Sequence, residues 1–220
     1  VYGVKLAEGR LGWELYFYDY GRRSRRVSVE RLREAIAPLV RCPVGVNEAL
    51  PYFMFSLDID DRLARDEREL DEVHLYIGNP GSAVSSGIAY SVTRHATTLD
   101  NFYFFFDAAT QLADVQRKVA SSPFFDETTL GLDHLILPEL RRCKTICIAN
   151  KKTHDCIYFS GIDVHQLIWF FDRFEYPIAI RRFVVEHQGR LDHLLFDVGF
   201  DYRQEGSTLN VLKSGYYGVF

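Results

Sequence analysis

The chain has 220 residues, enough for one large domain or two small ones, and its 47% hydrophobic content predicts a packed core. Its formal charge of −4 gives no reason to expect nucleic acid or an anionic membrane as a partner. No apolar run approaches the ~20 residues of a membrane span, and no signal peptide is recognisable.

The four cysteines, at positions 42, 143, 147 and 156, lack the C-x-x-C spacing of many metal and redox sites. We interpret them as reduced thiols of a cytoplasmic protein, with a disulfide between Cys147 and Cys156 as the alternative. The chain begins at Val1, without a methionine and inside a predicted strand. We therefore expect a single domain over residues 1–220 that can belong to a longer protein and can lack an N-terminal helix.

Strand-like segments recur in pairs along the chain. The ten predicted strands cover 1–6, 11–20, 52–60, 71–78, 101–107, 111–119, 145–149, 156–160, 194–202 and 208–217. The segment 111–119 is ambiguous, because a helix would align Leu112, Val115 and Val119, but its position favours a strand. In chain order these strands make five hairpins.

Helical segments are predicted between the hairpins. They lie at 28–43, at 83–96, within 124–140, at 163–177 and at 178–188. The clearest of them begins at Asp163, whose capping-box partner three residues later is Gln166. The charged segment 61–70 is either a solvated loop or a short exposed helix. The basic segment 21–26, GRRSRR, is either a solvated loop or a phosphate-handling loop.

Ten antiparallel strands with helices on one face hide their edges best by closing into a barrel. The polar face of each strand then lines the lumen, whereas an open sheet would turn the same face to water. In either case, the alternation assigns the following residues to the polar face: Lys5, Glu14, Tyr16, Tyr18, Ser56, Asp58, Asp60, Glu72, His74, Tyr76, Tyr103, Phe105, Asp107, Asp114, Gln116, Lys118, Thr145, Cys147, Tyr158, Ser160, Asp197, Asp201, Asn210 and Tyr216.

Several stretches along nearly the whole chain carry a resemblance to a known family. They are SLDIDDR at 56–62, VHLYI at 73–77, NFYFFFD at 101–107, PFFDE at 123–127, CIYFSGIDVHQL at 156–167, EHQGRLDHLLFDVGFDY at 186–202 and the closing LNVLKSGYYGVF. In order, spacing and pattern the chain resembles the ABBA prenyltransferases, above all the peptide-modifying members of cyanobactin biosynthesis. The resemblance implies an α+β fold called the PT barrel, a ten-stranded antiparallel β-barrel surrounded by helices and built from ββα-type repeats.

The resemblance also implies a reaction, in which a prenyl group moves from dimethylallyl or geranyl diphosphate to a nucleophile on a peptide or small molecule. Lys5 and Lys118 would hold the diphosphate, and Lys213 would join them only if a bulge reverses the register of the last strand. Aromatic rings would shield the developing allyl cation. The tyrosines expected in that role are Tyr16, Tyr18, Tyr76, Tyr158 and Tyr216.

Four acids on adjacent predicted strands are the expected catalytic residues: Glu14, Asp58, Asp60 and Glu72. As one patch they would attract a cationic acceptor such as an arginine side chain, and one of them would take its proton. Mg²⁺ would offset their charge if they lie beside the diphosphate, although the sequence shows no metal-ligand spacing of its own. A non-catalytic barrel that binds a small molecule or peptide is the alternative function, and an open-sheet interaction protein is a third.

Overall fold

The computed structural model of the protein describes residues 1–21, 25–80 and 84–218. These residues form ten strands: β1 (Tyr2–Ala7), β2 (Arg10–Tyr18), β3 (Tyr52–Ile59), β4 (Glu72–Gly78), β5 (Ser86–Thr93), β6 (Thr97–Asp107), β7 (Thr145–Lys151), β8 (Asp155–Ile162), β9 (Phe196–Glu205) and β10 (Thr208–Gly218).

Over the same described ranges the chain forms six α-helices and two short 3₁₀ turns. The helices are α1 (Val29–Ile36), α2 (Asp61–Ala64), α3 (Leu112–Ala120), α4 (Val164–Arg173), α5 (Ile178–Glu186) and α6 (Gln188–Leu191). The 3₁₀ turns, Leu132–His134 and Pro138–Leu140, occupy the linker in which a helix was predicted. None of the helices in the described part is long and apolar enough to cross a membrane.

The ten strands close into one antiparallel barrel, in which each strand pairs with its neighbours in sequence and β1 pairs with β10. This confirms the predicted barrel, and the open-sheet alternative is wrong. Closure leaves no strand edge unpaired, which is the physical advantage that led us to expect it. All four cysteines are free, so the alternative disulfide between Cys147 and Cys156 is also wrong.

The apolar faces of the strands point outwards and pack against the helices. The larger core joins the outer faces of β6 to β10 to α3, α4 and α5, with Ile146, Phe159 and Phe170 fully buried. A smaller core joins β3 and β4 to the first helix through Phe55 and Val29. Because apolar side chains occupy the outside, the polar faces of the strands are left to line the interior.

The helix α4 begins as its sequence predicts. The Asp163 carboxylate accepts a hydrogen bond from the backbone N–H of Gln166 at 2.8 Å, and the Gln166 side chain accepts one from the backbone N–H of Asp163 at 3.2 Å. This reciprocal capping box is a local device, which is why the sequence alone reveals it. Ser28 caps α1 in the simpler way, by accepting from the N–H of Arg31.

Two predicted elements are wrong, and they exchange roles. The segment 83–96 contains β5 rather than a helix, because it fills the gap between β4 and β6 and pairs with both. The segment 111–119 contains helix α3 rather than a strand, and its Val115 and Val119 are fully buried against the barrel. The third hairpin is therefore β5–β6, so Asp114, Gln116 and Lys118 lie on a helix outside the barrel.

The predicted ββα repeat is not regular. Helices follow the first, third and fourth hairpins, but the described part of the link between β4 and β5 contains no helix. The loop 21–26 is only partly described, since residues 22–24 lie outside the described ranges. Arg25 of this loop has a structural role. Its guanidinium lies 3.4 Å from the centroid of the Tyr52 ring and donates a hydrogen bond to the Tyr52 carbonyl.

Candidate functional site

Five tyrosine rings form a closed belt around the middle of the barrel lumen. The tyrosine belt consists of Tyr16, Tyr76, Tyr103, Tyr158 and Tyr217, one from the second strand of each hairpin. Neighbouring ring centroids are 5.8 to 6.5 Å apart all the way round the belt. Burial raises the pKa of each phenol well above its ordinary value, so the hydroxyls stay neutral at physiological pH.

Small residues on the alternate strands make room for these rings. Each belt tyrosine has a small cross-strand partner; these partners are Ser56, Ala89, Ala149, Gly199 and Gly3. A Cβ atom at Gly3 would lie 2.7 Å from the Tyr217 ring, and one at Gly199 would overlap the Tyr158 ring. This alternation of large and small inward residues allows five aromatic rings to share one level of the lumen.

The tyrosine belt separates two cavities. The aromatic chamber, of about 430 Å³, lies at the end of the barrel where β1 and the other odd-numbered strands begin. Besides the belt it is lined chiefly by Tyr18, Phe53, Met54, Phe105, Ser160 and Asp197. The polar chamber, of about 520 Å³, lies at the hairpin-turn end. Its charged and titratable lining comprises Lys5, Glu14, Asp58, His74, Asp100, Lys151, Lys152, His154, Asp201 and Lys213.

One side of the polar chamber is an ion-pair cluster around Lys5. Its ammonium lies 2.6 Å from Oε2 of Glu14 and 2.8 Å from Oδ1 of Asp58. Burial opposes the charge of Lys5, but the attraction of the two carboxylates prevails and raises its pKa. Burial would likewise raise the pKa of Glu14, but Lys5 and the hydroxyls of Ser56 and Tyr16 lower it to about 2. Both groups therefore stay charged at neutral pH.

The other side of the polar chamber is a cluster around Asp201, whose side chain is almost fully buried. Its Oδ2 atom lies 2.9 Å from the Lys151 ammonium, 3.3 Å from the Lys213 ammonium and 3.1 Å from Nε2 of His154. Burial opposes the negative charge, but these partners lower the pKa of Asp201 far below its ordinary value. Two lysines therefore converge on Asp201, and Asp100 adds a second negative charge near Lys151.

The structure brings together most of the predicted site residues. Those that line the lumen are Lys5, Glu14, Asp58, Tyr16, Tyr18, Tyr76 and Tyr158. Their places in the lumen agree with the predicted alternation, while their catalytic and donor-binding roles stay predictions.

Four predicted site residues lie elsewhere. Lys118, on α3, lies 4.2 Å above the Phe104 ring on the outside of the barrel, where burial lowers its pKa. Asp60 caps α2 and pairs with Arg68, and Glu72 accepts a hydrogen bond from Ser91 at an exposed position. Tyr216 faces outwards; its ring packs against Phe171 and Tyr176.

The position of Tyr216 has a specific cause. The register of β10 against β9 shifts between Val211 and Lys213, so the strand carries one extra residue there. Such a bulge moves every later side chain to the opposite face. Lys213 and Tyr217 therefore face the lumen, which fulfils the condition under which Lys213 was expected to join the site.

The predicted patch of four acids does not form. Glu14 and Asp58 are directly opposite each other and share Lys5, whereas Asp60 and Glu72 make their contacts outside this pair. Sequence reasoning also left out Lys151, although it continues the inward alternation of Thr145 and Cys147 to the end of β7. The predicted strand ends at residue 149, so the alternation does not reach Lys151.

No described group of three or more His, Cys, Asp or Glu side chains is arranged to hold a metal ion. Comparison with known proteins gives no further guide: the chain matches no family model and no curated protein.

Proposed function

We propose that the protein is a prenyltransferase that moves a dimethylallyl or geranyl group from its diphosphate to a nucleophile on a peptide or small molecule. The main support for the proposal is the tyrosine belt, which lies between the lysine-containing polar chamber and the aromatic chamber. A prenyl diphosphate has a matching polarity, with an anionic head and an apolar tail. Such a donor would pass through the belt, so that the bond between its prenyl group and its diphosphate lies at the level of the tyrosine rings.

The anion site favoured for the donor is formed by Lys151 and Lys213. Both ammonium groups converge on the single oxygen Oδ2 of Asp201, so they are already held at the spacing of partners for one anionic group. Diphosphate oxygens would take over these charge-assisted hydrogen bonds. Lys5 lies in the same chamber, but two carboxylates already neutralise it.

The tyrosine belt suits the bond-breaking step. As the bond between C1 of the prenyl group and the diphosphate oxygen breaks, its electron pair leaves with the diphosphate and positive charge develops on the allyl group. Neutral aromatic faces attract a cation, and they do so more strongly in a site that excludes water. The carboxylate that contacts the belt, Glu14, accepts hydrogen bonds from Tyr16 and Tyr76 and is already paired with Lys5, which reduces its tendency to trap the cation.

Mg²⁺ does not fit a protein-held site among the described residues of this chamber, because Glu14 and Asp58 share Lys5, Asp201 is paired with Lys151 and Lys213, and no three acidic or histidine side chains converge. Mg²⁺ often binds through substrate phosphates with few protein ligands, so it would enter with the donor if it is used. The reaction rate, measured with added Mg²⁺ and with a chelator, distinguishes a reaction that uses Mg²⁺ from one that does not.

The second candidate function is a non-catalytic barrel that binds a small molecule or peptide. The observation that favours it is the internal pairing of Lys5, Lys151 and Lys213, since any anionic donor must compete with resident carboxylates. In that case a ligand would occupy the aromatic chamber and undergo no reaction.

Mass spectrometry separates the two functions. The protein is incubated with dimethylallyl or geranyl diphosphate and a panel of N-acetylated amino acid amides. A prenyltransferase adds roughly 68 or 136 mass units to an acceptor, which is the mass of the dimethylallyl or geranyl group less that of the hydrogen it replaces. The Lys151→Ala/Lys213→Ala double variant should lose this activity, while Lys118→Ala, outside the barrel, serves as the matched control. Binding of a ligand without consumption of either diphosphate would support the non-catalytic barrel.

A further inference from the structure

Asp197 is the one carboxylate among the described residues that line the aromatic chamber, and it is held differently from the acids of the polar chamber. Its Oδ1 atom accepts hydrogen bonds from the Ser160 hydroxyl at 2.6 Å and from the Gly161 backbone N–H at 2.9 Å. In the described part of the chain Asp197 has no ion pair, whereas Glu14 and Asp58 share Lys5, Asp201 is paired with Lys151 and Lys213, and Asp100 lies 3.7 Å from Nδ1 of His74. Its second oxygen therefore has no described partner.

The Gly161 contact depends on a β-bulge. The register between β8 and β9 shifts between Ser160 and Ile162, and Gly161 has a φ of +79°, which side chains rarely tolerate. A Cβ atom at Gly161 would also lie 2.9 Å from the Lys144 side chain. The bulge directs the N–H of Gly161 at Asp197, and bulges are often used in this way next to functional sites.

The surroundings of Asp197 are those of a cation site. Tyr18, Phe53, Phe105 and the tyrosine belt supply aromatic walls to the chamber that Asp197 lines. Aromatic faces attract ammonium and guanidinium groups, and a carboxylate with a free oxygen adds a charge-assisted hydrogen bond. A neutral aromatic ligand would use the walls but would leave the charge of Asp197 without a counterion from the described residues.

We propose that Asp197 binds the cationic group of the acceptor, a guanidinium or an ammonium, and accepts its proton during prenyl transfer. The binding of the cation is inferred from the lining of the aromatic chamber alone, whereas the proton transfer rests on the proposed function. In that step a bond forms between the acceptor nitrogen and C1 of the prenyl group, the C1–O bond breaks, and diphosphate leaves with the electron pair. The proton on that nitrogen moves to Oδ2 of Asp197 before the bond forms, because a protonated ammonium or guanidinium nitrogen has no free lone pair to offer to C1. The sequence predicts that a patch of four acids binds a cationic acceptor. The proposal assigns that role to Asp197, in the aromatic chamber.

Binding is tested first, without any donor. N-acetyl-arginine amide, N-acetyl-lysine amide and N-acetyl-tyrosine amide are titrated into the protein and followed by calorimetry. Asn in place of Asp197 keeps an oxygen for Ser160 and Gly161 but removes the charge. Asp197→Asn should therefore weaken the binding of the two cationic probes by roughly tenfold or more and leave the affinity for the tyrosine probe unchanged. The matched control is Asp107→Asn, because Asp107 is at the same end of the barrel but its carboxylate is used by the turn at Ala109 and Thr110.

Transfer is tested next, with dimethylallyl diphosphate and the preferred cationic probe. Asp197→Asn should lose transfer to the probe but still hydrolyse the donor slowly, because donor activation belongs to the polar chamber and the belt. If the wild type binds the cation but never consumes the donor, the proposed function fails and the binding site stands. Equal cation affinity in wild type and Asp197→Asn overturns the inference, as does a preference for the tyrosine probe. Asp197→Ser repeats the comparison if Asp197→Asn does not fold.

Discussion

The Lys5 ammonium lies 2.6 Å from Oε2 of Glu14, so an expected donor-binding cation and an expected catalytic acid neutralise each other. Both side chains are largely buried, and Glu14 also accepts hydrogen bonds from Ser56 and Tyr16, each at 2.5 Å. Such a pair has no spare charge for a substrate. We therefore assign Glu14 to holding the polar chamber together.

The first prediction is that Glu14→Gln is strongly destabilising. The substitution removes the almost fully buried partner of Lys5 and leaves only the half-exposed Asp58, so the cost should approach the ~3–5 kcal/mol of breaking a buried ion pair. Asp58→Asn should cost less, because 45% of the Asp58 side chain is exposed and water can replace its contact. Urea unfolding of the two variants measures the difference, and equal losses would show that burial does not decide the effect.

The second prediction concerns acid. The pKa of Glu14 is lowered from 4.5 to about 2 in the folded protein, so its contribution to the free energy of unfolding is complete above pH 4.5. That contribution is lost as the pH falls towards 2, because the unfolded chain then binds the proton more readily. The difference in unfolding free energy between wild type and Glu14→Gln should shrink over this range. A difference that is constant with pH would contradict the lowered pKa.

The third prediction is that Asp201→Asn binds inorganic diphosphate more tightly than the wild type does. The substitution removes the carboxylate that competes for Lys151 and Lys213, and a charged hydrogen bond is worth about 1.5–3 kcal/mol, or roughly ten- to a hundredfold in affinity. Lys151→Ala should change the affinity in the opposite direction. Calorimetric titration with diphosphate measures both, and weaker binding by Asp201→Asn would place the anion elsewhere.

The fourth prediction tests the packing of the tyrosine belt. Gly199→Ala places a methyl group into the Tyr158 ring and should cost about 1–3 kcal/mol through overpacking. Gly12→Ala is the control, because a Cβ at Gly12 meets nothing within 4 Å. Thermal unfolding compares the two variants. If both melt at the wild-type temperature, the small partners are not required by the belt.

The fifth prediction concerns the aromatic character of the belt. Tyr76→Phe keeps the ring face and should retain most of the prenyl transfer activity. Tyr76→Leu removes the face, and the loss of a desolvated cation–π contact of about 2 kcal/mol should slow the reaction roughly 30-fold. The rate at saturating donor and acceptor is the measurement. Equal rates in the two variants would mean that the belt shapes the lumen without stabilising a cation.

Local patterns in the sequence determined much of this fold. Period-two alternation is enough to find a half-buried strand, so the inward positions of Tyr16, Tyr76 and Tyr158 could be predicted. A capping box involves residues only three positions apart, so the start of α4 at Asp163 could be predicted as well. Ten strands without exposed edges then favoured a barrel.

Tertiary structure decided the remaining features, because they depend on partners far away in sequence. The segment of β5 forms a strand because it hydrogen-bonds to β4 on one side and to β6 on the other. The segment of α3 forms a helix because its two buried valines pack against the outside of the barrel. One extra residue in β10 exchanges Tyr216 for Tyr217 in the lumen. The pairing of Lys5 with Glu14, and the solitary position of Asp197, follow from which strands meet across the closed barrel, and no local pattern in the chain encodes that.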